Sequence, residues 1–295
     1  MSIVTKLLSV STVFLFLSFC VGSTHAQSER EMSENRLHLA TGWYCGAADS
    51  FFDNDGERQD WGGFKESQGM FFVQGRYDFA SLNAGNREIE LTGLARISID
   101  RVKQSFDGNK GSGSDSRTGS GLGVITLGVS GKTSVNDYLN FGLGFDAFLD
   151  VASDPDFESG DIPITDGSHA VGINGRLKYH NEKVYGGVKV GHVNRTEENF
   201  RSTNYAAVSG GYEVWSNEKV SVSVGAGFSY HADTDDGGKL YGVSPIVKAS
   251  VPRHDLKFKI GPGCTEDYTP SGLYQIGGES AADINALGIT VSKSF

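Results

Sequence analysis

The chain has 295 residues, 40 of them glycine, and a formal net charge of −10. Glycine at about twice its usual share, with no G-X-Y period, excludes collagen, and 18 Phe with 11 Tyr exclude a disordered low-complexity chain. The acidic balance argues against nucleic acid as a partner, because phosphate binding is driven by Lys and Arg, and the mature chain lacks the apolar runs of about 20 residues that a helical membrane bundle needs.

Residues 1–26 read as a secretory signal peptide. Lys6 supplies the positive n-region, Leu7 to Gly22 the apolar h-region, and Thr24-His25-Ala26 the small residues before a cleavage near Ala26-Gln27. A membrane anchor is the competing reading, but the run is short for a span and the polar stretch 27–35 follows at once. A lipoprotein signal at Cys20 is disfavoured by the bulky Phe19 before it. Residues 27–35 then form a short periplasmic N-terminal segment, and 36–295 a single domain.

Period two, the period of a β-strand, dominates the mature chain. From Leu139 to Val151 the odd positions are Leu, Phe, Leu, Phe, Ala, Leu and Val, and the even ones Asn, Gly, Gly, Asp, Phe and Asp. The stretches Ile89 to Ile99 and Val220 to Tyr230 alternate in the same way. About twelve such segments begin near Arg36, Met70, Glu88, Leu122, Tyr138, Ser168, Val184, Tyr205, Val220, Leu240, Leu256 and Ala282. Glycine recurs inside them, as in Gly142, Gly144, Gly186, Gly187, Gly210, Gly211, Gly225 and Gly227. In a barrel wall such glycines leave room inside and permit curvature. Pro245 falls within the tenth segment, where a closed barrel has no free edge for a missing N–H. A bulge or a local break in the ladder is expected there.

The connections alternate in length. Short ones around 83–86, 135–137, 180–183, 216–219 and 252–254 are rich in turn formers. Long ones cover about 48–68, 107–121, 153–166, 195–204, 232–239 and 265–280. The long ones are acidic, the first holding Asp49, Asp53, Asp55, Glu57, Asp60 and Glu66. Asp53-Asn54-Asp55-Gly56 looks like part of a calcium loop, yet position 62 is Gly62 where an EF-hand needs Glu. Solvated loop charge is the simpler reading, and neither metal nor cofactor is expected. After cleavage two cysteines remain, Cys45 and Cys264. An exported chain can oxidise them to one disulfide, or they stand as two free thiols.

The last segment puts Leu287, Ile289, Val291 and Phe295 on one parity, and Phe295 ends the chain. This resembles the terminal strand of Gram-negative outer-membrane proteins, whose closing aromatic is read by the barrel assembly machinery. With the signal peptide and the strand–loop rhythm, the resemblance implies an all-β fold, a transmembrane antiparallel up-and-down β-barrel of 12 strands, within a range of 10–14. It implies a place in the bacterial cell outer membrane, among its lipid and lipopolysaccharide, with short turns periplasmic and long loops outside. Aromatic girdles are expected from Trp43, Phe71, Tyr230 and Tyr241 at the outer rim and Phe79, Tyr179 and Phe295 at the inner one. Lys293 departs from the apolar outer face, and near the terminus it can snorkel to the interface. Autotransporter β-domains are also twelve-stranded, but the first strand starts too close to the mature terminus for a passenger domain.

The side chains expected to line the lumen are the bases Arg76, Arg96, Arg176, Lys178, Lys189, Lys248, Lys257 and Lys259 and the acids Asp78, Glu88, Glu90, Asp100, Asp146, Asp150 and Glu213. The two signs nearly cancel. Acids gather on strands two, three and five and bases on six, seven, ten and eleven, which would place a transverse field across the lumen. A passive porin-like channel for small hydrophilic solutes is the leading expectation. The alternative is a lumen closed by ion pairs among these groups, giving a non-conducting structural or surface-binding barrel. A third reading is a lipid hydrolase, for which Ser229, His231 and Asp233 share one face near the outer rim. The His-x-Ser and Asn pattern of outer-membrane phospholipases is absent.

Overall fold

In the computed structural model, alternation of apolar and small or polar residues becomes a closed antiparallel sheet of twelve strands. The structure describes residues 37–106, 115–152, 162–163, 168–196, 201–234, 238–261, 274–279, 281–282 and 285–295. The signal peptide 1–26, the segment 27–35 and Cys264 lie outside them. The strands are β1 (Leu37–Ala48), β2 (Phe64–Ala84), β3 (Arg87–Phe106), β4 (Asp115–Asn136), β5 (Leu139–Asp150) and β6 (Ala170–His180). They continue as β7 (Val184–Arg195), β8 (Thr203–Ser216), β9 (Ser221–Asp233), β10 (Lys239–Val251), β11 (Leu256–Gly261) and β12 (Asn285–Ser294). Each pairs with its sequence neighbours, and β1 closes the ring on β12 through a register running from His38↔Ser294 to Ala47↔Asn285. The Phe295 amide donates to the Leu37 carbonyl and finishes the seam.

The two ends differ, as the connection lengths require. At the turn end, Asn-Glu-Lys occurs twice and folds the same way twice. The Asn181 side-chain oxygen accepts from the amides of Lys183 and Val184, and that of Asn217 from Lys219 and Val220. In the turn between β2 and β3, Gly85 takes the left-handed conformation that favours glycine (φ 68°).

At the loop end β2 begins at Phe64 and β4 at Asp115, six or more residues before the alternation becomes visible near Met70 and Leu122. Their outward residues there include Lys65, Ser67, Ser116 and Thr118, so hydrophobic periodicity gives no signal although the ladder continues. The first long connection is not an extended charged loop. Ser50–Phe52 and Arg58–Asp60 form a hairpin, joined on its other edge by Ala281–Ala282.

The eleventh strand line departs most from expectation. Residues expected as loop near 265–280 include a strand, Tyr274–Glu279, which pairs with the loop-side half of β10, while β11 pairs with its turn-side half. Between Val243↔Tyr274 and Val247↔Ile260, β10 has no registered partner on that side among the described residues. Pro245 sits in this interval, so its missing N–H falls where the ladder is already interrupted.

Apolar side chains lie outside. Trp43, Phe71, Ile99, Leu143, Phe145, Ile173 and Val190 are all exposed, whereas inward Phe72 is 1% exposed. Along β3 the outward run Ile89 to Ile99 covers about 33 Å of strand, or about 25 Å of height at the usual barrel tilt. That matches the apolar band of a membrane barrel. Arg101 and Lys103 follow it at once on the same face. No helix among the described residues is long and apolar enough to cross a membrane. Tyr230 stacks on Tyr241 across β9 and β10, and Tyr138 meets Tyr179 at the turn end. Phe79 fills a bulge in β2, its ring beside outward Gly93. Cys45 is a free thiol on the outward parity of β1.

Candidate functional site in the barrel lumen

The inward faces of the strands divide into two zones along the axis. Toward the loop end large apolar side chains are buried, among polar ones such as Arg96, Ser98 and Thr203. Phe148, Ala170, Val193 and Tyr205 form a buried cluster with Val124 against it, and Tyr44, Phe72 and Leu240 are buried as well. The glycines make this possible. A Cβ on Gly42 would come within 2.5 Å of the Phe72 ring, and one on Gly191 would run into the Tyr205 ring. The inward aromatic of one strand therefore lies flat on a glycine of its neighbour, and the belt is built without widening the wall.

Toward the turn end lies a cavity of about 620 Å³. Ten of the lumen residues expected from the sequence line it: Arg76, Asp78, Glu90, Asp146, Arg176, Lys178, Glu213, Lys248, Lys257 and Lys259. The other five lie elsewhere. Arg96 is buried and donates to the Thr126 hydroxyl at 3.0 Å. The Ser98 hydroxyl donates to Asp100. Asp150 accepts from the Ala152 amide, and the Lys189 ammonium lies 5.3 Å from the centre of the Tyr205 ring. Glu88 is exposed beside the turn between β2 and β3.

Sequence reasoning missed other members. His38 sits between Ser294 and Asp78, with Nε2 3.2 Å from the Asp78 carboxylate. Asp78 also accepts from the Thr92 hydroxyl at 2.6 Å. Lys132 pairs with Glu90 at 2.7 Å. Tyr185 lies across Gly211 and Gly225, and the Lys248 ammonium rests over its ring, 3.6 Å from the centre. The parity of β1 and β4 holds the signal for His38 and Lys132. The parity of β7 holds it for Tyr185 as well, which shares a face with Lys189, and only its meeting with Lys248 needs β7 and β10 brought together.

With Lys132 and, at the rim, Lys293 included, eight Lys and Arg side chains border the cavity against four carboxylates. The near-cancellation seen in the sequence is therefore absent here, because Asp100 and Asp150 lie toward the loop end and Glu88 at the turn.

The proposed hydrolytic group does not assemble. The Asp233 carboxylate accepts from the Thr203 hydroxyl, His231 stacks on Tyr205 at 6.1 Å, and its Nδ1 has no hydrogen-bond partner among the described residues. The calcium-like run is also accounted for. One Asp53 oxygen accepts from the amides of Asp55 and Glu57 and the other from the Gln59 side chain, so both oxygens are engaged by the hairpin turn.

No family model and no curated protein matches the sequence. Solved structures do match in shape. The COG4313 outer membrane channel from Pseudomonas putida F1 superposes with a TM-score of 0.66 at 14% identity, over 88% of this chain and 96% of that one. The transport unit of the autotransporter AIDA-I from Escherichia coli gives 0.46 at 11% identity, covering 94% and 98%. A Pseudomonas aeruginosa FadL homologue gives 0.33 at 13% identity, covering 88% and 90%. The apolar belt outside, the closed ladder and the first of these superpositions agree: the chain has the fold of a twelve-stranded outer-membrane β-barrel.

Proposed function

We propose that this barrel is a passive outer-membrane channel for small hydrophilic solutes. The observation that carries the reading is the cavity of about 620 Å³, lined by charged and hydroxyl side chains, within a wall whose outer face is apolar. A filled structural core would not need twice as many bases as carboxylates around an open chamber. That the COG4313 neighbour is described as an outer membrane channel accords with this. Export by residues 1–26 and assembly through the terminal Phe295 belong to the same proposal. They are supported by the signal-peptide pattern and by the aromatic at the barrel seam.

The purified, folded barrel in planar bilayers is expected to give unitary current steps. A correctly folded barrel with no such steps would sink the channel reading. It would favour the second one, a non-conducting structural or surface-binding barrel, for which the buried belt of Phe72, Phe148, Val193 and Tyr205 is the specific support.

A further inference from the structure

The lumen contains two cross-strand pairs of like sign. Lys248 on β10 is registered directly against Lys259 on β11, and Arg176 on β6 against Lys189 on β7. Like charges directly opposite each other destabilise a sheet, so stability alone does not account for them. Three of the four chamber acids are placed differently, and the fourth, Glu213, is registered against Ser223. Glu90 is registered against Lys132 and pairs with it, Asp78 is engaged by His38 and Thr92, and Asp146 accepts from the Asn174 amide.

Lys257 sits two residues from Lys259 on the same inward face, and neither ion-pairs with a carboxylate among the described residues. The register sets Ser223 and Thr290 beside Lys248 and Lys259, and Ser250 and Ser292 beside Lys257. Three ammonium groups framed by hydroxyl donors form a surface complementary to an oxyanion. The Lys248 ammonium is steadied over the Tyr185 ring.

We propose that Lys248, Lys257 and Lys259 form an anion site in the turn-side chamber, and that the barrel selects small organic anions, carboxylates with an apolar body. The selectivity part rests on the channel reading; the site itself does not. The axial order gives the ligand class. Phe72 and Leu94 line the chamber on its loop side and face the body of such a molecule, and the lysines face its carboxylate.

The test uses the folded, mature barrel and benzoate as probe. In a salt gradient across a planar bilayer the reversal potential should report anion preference. In the triple variant Lys248→Gln, Lys257→Gln, Lys259→Gln the permeability ratio should fall about fivefold toward unity, the scale of one unit charge felt at 4 Å through water. Equilibrium dialysis should show benzoate retained by the parent and lost in the variant, with neutral benzyl alcohol and cationic benzylamine not retained by either. Lys183→Gln, at the turn outside the chamber, should change nothing, and heat-modifiable gel migration confirms folding of each protein. A conducting barrel that is unselective or prefers cations overturns the proposed selectivity and leaves the channel reading standing. A barrel without conductance overturns the channel reading, and the dialysis then decides the site alone. Benzoate bound equally by parent and triple variant, or by neither, rejects the site.

Discussion

The two halves of the lumen use the same wall in opposite ways. The loop-side half fills the space with aromatics laid on glycines, so that Phe72 and Val193 are as buried as residues of a soluble core. The turn-side half keeps long charged side chains around open space and places like charges in register. Packing density sets the energetics of the first region, and unbalanced charge sets the chemistry of the second. A barrel that only needed to be stable would resemble the first region throughout. One that only conducted would resemble the second.

That contrast can be broken at three points in the lumen, and a fourth test lies outside it. Phe72→Ala should have the largest effect. Removing a side chain that is 1% exposed should cost about 3–5 kcal/mol, read as a lower urea midpoint. It should also raise unitary conductance if the belt limits flow, while the same truncation at a chamber residue would leave stability nearly unchanged. Gly42→Val comes next. Its Cβ would sit within 2.5 Å of the Phe72 ring and 2.7 Å of the Ile289 carbonyl. Overpacking of this kind costs about 1–3 kcal/mol, measured by the same unfolding curves. Equal stability in the variant would show that the belt is loosely packed.

Glu90→Gln should act the other way round. Its pair with Lys132 is half-exposed, so losing it should shift stability by less than about 1 kcal/mol. It removes one of the four chamber carboxylates, so anion preference in the reversal potential should rise.

The smallest effect concerns the hairpin outside the lumen. The amide of Glu57, then the Gln59 side chain, hold the Asp53 carboxyl below its ordinary value of 3.8. A depressed folded value means that the turn is favoured above pH 3.8 and loses this support as pH falls through the folded value. Relative to the intrinsic rate at the same pH, amide exchange at Glu57 should accelerate there, with the barrel strands unaffected. A protection factor that stays constant with pH would show the turn held by its backbone bonds alone.

Much of the architecture is legible from the residues. Strand period, strand number, alternating loop length and inward parity all follow from local pattern, because lipid outside and space inside impose a two-residue rule on every strand. The rule fails where lipid stops: the first six residues of β2 and β4 protrude beyond the apolar band and carry no hydrophobic signal. Pro245 announced a broken ladder, but only the pairing of β10 with both β11 and Tyr274–Glu279 located the break beside it.

The sequence by itself determined that this chain alternates, closes with even strand number and turns polar groups inward. The tertiary structure decided which of those groups meet. Tilt and register shift each strand relative to the next, so residues with the same parity end at different heights. That offset carried Asp100 and Asp150 away from the chamber and left Lys248, Lys257 and Lys259 within it. A list of inward charges that nearly cancels along the chain therefore becomes a positive compartment in space.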